Sequence, residues 1–240
     1  MVTDELHRIL RPLLCACAGA IVFVPAAGSA TSSPTNLYTA MIAAGKKQES
    51  VHYTSIQNVG TDRVVMSADV AATQGIQRIA YTKNGQTGHV LVAVTGGNAY
   101  VLGDAFTLVN YMGYNAAAAA AYSDQWIQIP PTDPDFKAVT ANVTLPSSVG
   151  ELDVPTPLVD SPSMEVNGRV VIGVMGTAPA TSSSSSMIVS LYAGPAGRLP
   201  FEEYVMQGNS QSTTRFSRWN ERIKIGAPVN ATPISDTGLE

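Results

Sequence analysis

The sequence predicts an α+β protein built on one large, curved antiparallel sheet with helices against its concave face. Three observations carry that expectation. Apolar and polar residues alternate with period two, most plainly where Val64, Met66, Ala68 and Val70 interleave with Arg63, Val65, Ser67 and Asp69. Tight-turn dipeptides, Asn84-Gly85 and Gly96-Gly97 among them, join such stretches into hairpins. Between two strand-rich blocks lies a middle third with helical composition, including the alanine run Ala116 to Ala121. The resulting order is helix, strands, central helices, strands, which is that of an α+β fold. A sheet this long tends to curl, and helices over its concave side leave a natural place for an apolar pocket.

The elements follow in order. Ser33 can cap a helix and Pro34 suits its first position, so a helix is expected from Pro34 to Glu49, with Leu37, Met41 and Ala44 on one face. Strand patterning begins at Val51. The clearest hairpin runs from His89 to Thr95 and from Asn98 to Gly103. Asp104 can cap one central helix through Phe106, Val109, Met112 and the alanine run. Trp126 to Ile129 reads as a short strand. Asp133-Pro134 opens a helical stretch through Phe136 and Val139, Pro146 breaks it, and Ser147 caps a short helix to Leu152. The last third predicts strands over 163–166, 169–177, 187–193, 198–207, 212–216 and 221–225. Asn167-Gly168 and Gly194-Pro195-Ala196-Gly197 supply turns there, and the polar run Thr181 to Ser186 an exposed loop.

The ends point to export. Arg8 and Arg11 precede the apolar run Pro12 to Val24, and small residues lead to Gly28-Ser29-Ala30, so residues 1–30 read as a signal peptide. The run is shorter than the ~20 residues that span a bilayer. Leu14-Cys15-Ala16-Cys17 has the look of a lipobox, but the apolar run continues to Val24, so acylation at Cys17 is the disfavoured alternative to free export. Removal of the leader leaves no cysteine, which excludes disulfides and thiolate chemistry from the mature chain. Residues 31–232 suffice for a single domain with a sizeable core, and residues 233–240 are expected to be a flexible tail.

Composition limits the partners. The net charge of −4 argues against nucleic acid. Charged residues make up 13% of the chain, about half the usual share, beside 45% hydrophobic residues, which suits an internal cavity. No cofactor is expected, since no phosphate-binding loop or dinucleotide motif occurs, and no convergent metal-ligand cluster is visible. His52 and His89 lie in predicted strands, without a Gly-x-Ser-x-Gly elbow, and neither reads as a catalytic base. Of the carboxylate pairs, Asp133 and Asp135 read as a helix start, and Glu202-Glu203 as a solvated strand edge. The positive signal is apolar: Met41, Phe106, Val109, Met112, Tyr114, Trp126 and Met206 are the candidate ligand-binding residues, with methionine suited to acyl chains of varied shape.

Three segments carry a resemblance: Gly96-Gly-Asn-Ala-Tyr-Val101; Asp124-Gln-Trp-Ile-Gln-Ile129 with the Asp133-Pro134 stretch; and the close from Arg215 to Pro228. Together they resemble the LolA/LprG/LppX group of exported lipid-binding proteins, in particular its actinobacterial branch, over roughly residues 34–230. The resemblance implies a half-barrel with helices against its concave face, enclosing a cavity for acyl chains, in a protein that carries lipid across the cell envelope without catalysis. It implies a lipid or acyl-chain ligand and a membrane transporter or envelope protein as partner. The chain departs from the actinobacterial members in its lipobox. A monomeric, extracytoplasmic carrier is the expectation, whether secreted or held in the envelope. The alternative is an envelope sensor or adaptor that binds another protein through its sheet or loops.

Overall fold

The computed structural model describes residues 33–166, 168–181, 184–194 and 198–238. The expected signal peptide, with Cys15 and Cys17, lies outside the described residues. The first helix, α1 (Pro34–Lys46), starts as the sequence predicts, with the Asn36 amide donating to Ser33 Oγ at 3.3 Å. It stops at Lys46 rather than Glu49, because the Gln48 side chain folds back onto the Ala44 carbonyl and Ser50 already enters a strand.

Five strands then form a meander: β1 (Ser50–Val59), β2 (Asp62–Ala71), β3 (Gly75–Lys83), β4 (Gln86–Thr95) and β5 (Asn98–Gly103). Val64, Met66, Ala68 and Val70 are all buried, as their alternation requires. The β3–β4 and β4–β5 turns have positive φ at Asn84 and Gly85 and at Gly96 and Gly97, the conformation that two-residue hairpins need.

The middle third holds four short helices and one strand. The single central helix expected from Asp104 to Ala121 is two: α2 (Ala105–Asn110) and α3 (Ala116–Ala121). Gly113 adopts φ 81°, which no helix permits, and Asn115 Oδ1 accepts from the Ala118 amide to start a new helix. After β6 (Ile127–Ile129) come α4 (Phe136–Val139) and α5 (Leu145–Gly150). Pro146 does not break the chain there. It sits in the first turn of α5, where its missing N–H costs nothing, and Thr144 rather than Ser147 is the cap residue.

The C-terminal block is a second meander: β7 (Leu158–Val166), β8 (Arg169–Ala178), β9 (Met187–Ala193), β10 (Pro200–Gln207) and β11 (Ser210–Ser217). The two meanders join through β1 and β11, with Tyr53 opposite Phe216 and Ser55 opposite Thr214. One curved sheet of twelve strands results, in the order β12-β6-β5-β4-β3-β2-β1-β11-β10-β9-β8-β7, where β12 (Thr232–Pro233) pairs parallel to β6 and every other pair is antiparallel. It is a half-barrel with helices against its concave face.

Two expectations about the C-terminus need correction. Residues 221–225 form no strand. They are held instead by side chains of the first meander, where Gln74 Nε2 donates to the Ile223 carbonyl at 3.1 Å and Thr95 Oγ1 to the Ile225 carbonyl at 3.0 Å. The expected flexible tail is instead docked as far as it is described. Pro233 pairs with β6, Ile234 is buried in the core, and a 3-10 turn spans Ile234–Asp236. Asn115 Nδ2 donating to the Gly238 carbonyl at 2.6 Å and the Tyr122 hydroxyl donating to the Asp236 carbonyl at 3.0 Å hold it as well.

The core has two halves. One packs α2 and α3 on β2–β6, around Leu108, Tyr111, Val101 and Ile127. The other packs α1 and α5 on β1 and β8–β11, around Met41, Val149, Val174 and Leu191. The chain crosses from the first to the second between Val143 and Leu145. Among the described residues no helix is long and apolar enough to cross a membrane.

Candidate functional site

A cavity of about 420 Å³ lies at the seam between the two core halves, partly open to solvent. Strand alternation builds its floor. Tyr53, Ser55 and Gln57 of β1 point to the concave side, and register places Phe216, Thr214 and Ser212 of β11 beside them. The next strand adds Glu203 opposite Thr214 and Val205 opposite Ser212, and β9 adds Val189 opposite Val205. Met66 of β2 and Gln77 of β3 complete the other side. The roof is the segment around α4 and α5, including Ala138, Ala141, Asn142, Ser148, Glu151 and Leu152.

Two glycines fix that roof. Gly75 on β3 lies against the Val143 carbonyl and Gly176 on β8 against the Pro155 carbonyl, and neither position has room for a Cβ. The roof is thereby pinned on both sides of the cavity. A hydrogen-bonded column ties it to the floor: Gln77 Nε2 donates to Tyr53 Oη at 2.7 Å, and the Tyr53 hydroxyl donates to the Asn142 carbonyl at 2.7 Å. Ser148 Oγ donates to the same carbonyl at 3.0 Å. Burial pushes the Tyr53 hydroxyl above the ordinary tyrosine range, so it remains a neutral donor.

The floor is amphipathic. Met66, Met187, Val189, Val205 and Phe216 supply apolar wall, whereas hydroxyls and amides supply the rest. Some of the polar groups satisfy each other, as where Thr214 Oγ1 donates to Ser55 Oγ at 3.0 Å. The Gln57 amide and the Glu203 carboxyl have no hydrogen-bond partner among the described residues. Burial, reinforced by the negative charge of Glu151, pushes the Glu203 carboxyl up to about 8. Among the described residues no lysine, arginine or histidine lines the cavity.

None of the seven candidate residues lines this cavity. Met41, on α1, is fully buried inside the second core half. Met112 and Tyr114 are buried in the first half, with Phe106 and Val109 packed against it, and Phe106 lies 6.0 Å from Tyr81 between ring centroids. Trp126 is half-buried beside β6, and Met206 points to the convex side of β10, away from Val205. The helices that were expected to roof the ligand space cover the β2–β6 half instead. The Glu202-Glu203 pair is no solvated edge either: β10 lies between β9 and β11. Glu202 accepts from Arg215 Nε at 2.6 Å on the convex side, and Glu203 faces the cavity. The signal available for Glu203 was its phase with Val205, a carboxylate on the covered face of an alternating strand.

His52 Nδ1 lies 2.8 Å from Asp69 Oδ1 on the convex face, with Arg78 and Arg218 on the same carboxylate, and His89 is exposed. Neither lines the cavity. Among the described residues no group of three or more His, Cys, Asp or Glu is placed to hold a metal ion.

The chain's fold is shared by solved structures. LprF from Mycobacterium bovis matches with a TM-score of 0.51 at 14% identity, covering 82% of this chain and 99% of that one. The Mycobacterium tuberculosis lipoprotein LppX matches with a TM-score of 0.51 at 18% identity, over 81% of this chain and 100% of that one. The expected fold of the LolA/LprG/LppX group is therefore the fold of this chain. No protein-family model matches the chain, and no curated protein sequence matches it at a significant level.

Proposed function

We propose that the protein is a non-catalytic carrier that holds one amphipathic lipid or other apolar ligand in the cavity at the seam of its core. The observation that carries this reading is the cavity itself: an opening of about 420 Å³ on the concave face, between apolar wall and unpartnered polar groups. Cavities for small ligands run from roughly 300 to 1,000 Å³, so this one suits a single chain or a compact head group with part of its tail. A dry core would be filled, and a hydrolytic site would need a nucleophile beside a base. Burial of the ligand's apolar part supplies affinity, at about 0.8 kcal/mol per CH₂, while Gln57 and Glu203 are placed to meet a polar group. The work is done outside the cytoplasm, a reading that rests on the leader-like residues 1–30 and on the fold shared with a lipoprotein.

Native mass spectrometry of protein purified from a lipid-bearing host, followed by organic extraction, tests the proposal. Defined mass increments at one ligand per chain, released by solvent, are expected. A clean unliganded mass that stays unchanged after incubation with amphiphiles would move the weight to a protein-binding adaptor.

A further inference from the structure

We infer that the cavity selects an amphiphile with a cationic amino head group, which pairs with the carboxylate of Glu203. This deepens the carrier reading and rests on it. Glu203 stands mid-floor, in one register row with Thr214 and Ser55. Thr214 and Ser55 bond to each other, so the carboxyl is left without a hydrogen-bond partner among the described residues. Glu203 is half-buried at the wall of a partly open cavity, where a carboxyl that meets no protein donor is left to water or to a ligand. Such a group fronting a cavity is accounted for by a ligand that completes it.

The sign of the charge follows from the surroundings. The other titratable groups facing Glu203 are Glu151 and Asp153 behind α5, Tyr38 on α1 and Tyr53 on β1. All are acids, and among the described residues no basic side chain lines the cavity. A carboxylate or phosphate head group would meet only like charge in a low-dielectric setting, whereas an ammonium would find its counter-ion there. An ammonium also matches the Ser, Thr and Gln oxygens nearby, as it carries three donors and no acceptor.

Entry of the cation converts the neutral carboxyl to carboxylate, and its proton leaves to solvent. Binding therefore strengthens with pH, by about tenfold per unit below the Glu203 pKa of about 8. It levels off above that point, while an alkyl amine stays charged to about 10.4.

The test uses three ten-carbon probes with one tail: decylamine, decan-1-ol and decanoate. Each is titrated calorimetrically into the full chain at pH 6.5 and 8.5. Decylamine is expected to bind at least tenfold tighter than decan-1-ol at pH 8.5, to lose at least tenfold at pH 6.5, and decanoate to bind weakest. Glu203→Gln removes the preference, so that decylamine and decan-1-ol bind alike, whereas Glu203→Asp keeps the preference. Equal binding of decylamine and decan-1-ol, tightest binding of decanoate, or a preference that survives in Glu203→Gln overturns the inference while the carrier reading stands. Binding of none of the three overturns the carrier reading as well.

Discussion

Glu203, half-buried on the cavity wall near Val205, has its carboxyl pushed up to about 8 by desolvation and the charge of Glu151, whereas in the unfolded chain it ionises near 4.5. The native state therefore keeps a proton that the unfolded state loses between those values. Stability falls as pH rises from about 4.5 to about 8 and is level above it. Urea midpoints of the wild type should drop between pH 5 and pH 8, and Glu203→Gln should flatten that slope. Equal slopes would place Glu203 in a more solvated setting. Tyr114 poses a second residue-scale question, because its hydroxyl is buried with no hydrogen-bond partner among the described residues. Burial also pushes that hydroxyl above the ordinary range. Removing an unmet hydroxyl removes its desolvation cost, so Tyr114→Phe should be neutral or stabilising by up to about 1 kcal/mol, measured by chemical denaturation. Tyr53→Phe should behave oppositely. Its hydroxyl links Gln77 to the Asn142 carbonyl, and the change should cost about 1–3 kcal/mol by stranding the Gln77 amide.

At the scale of elements, the roof around α4 and α5 has little regular structure, and its position depends on two points of close contact. Gly75→Ala and Gly176→Ala each force a backbone carbonyl away from the sheet. Each should lower stability by about 1–3 kcal/mol, and the thermal midpoint should fall together with ligand affinity because the roof moves with the carbonyl. Hairpins were legible in the sequence, since Asn84-Gly85 and Gly96-Gly97 encode their turns locally and Val64 to Val70 encode a covered face. The break between α2 and α3 was also written locally, in Gly113 and Asn115, but the alanine run outweighed it as a signal. The docking of Ile234 was hidden by its polar flanks. Residues 221–225 have strand composition, yet their backbone groups bond to the side chains of Gln74 and Thr95 rather than to a neighbouring strand.

Across the whole molecule, the cavity depends on a pairing that no local pattern reports. Tyr53 and Phe216 are adjacent because β1 and β11 join the two meanders, and Glu203 reaches the same face through β10. Four of the seven apolar candidates, Phe106, Val109, Met112 and Tyr114, belong to the first core half, and Met41 is buried in the second. Apolar composition identifies covered positions, but it does not tell a filled contact from an open one. What separates them here is geometry: helices cover each half of the sheet, and the thin α4–α5 roof bridges the seam between them. The cavity therefore has floor residues from both blocks of the sequence. A ligand seated there would bridge the two halves and should raise the thermal midpoint of the whole domain, by an amount that grows with the logarithm of its free concentration above Kd.

The most direct test of a ligand site at this seam is calorimetric titration of decan-1-ol into the wild type and into Val205→Trp, whose indole would occupy the middle of the floor. Circular dichroism establishes that the variant keeps the wild-type fold, and Val189→Phe serves as a second filling variant. One saturable site in the wild type, lost in both variants, is the predicted result. Undiminished binding in folded, filled variants would show that the ligand sits elsewhere and would contradict the account.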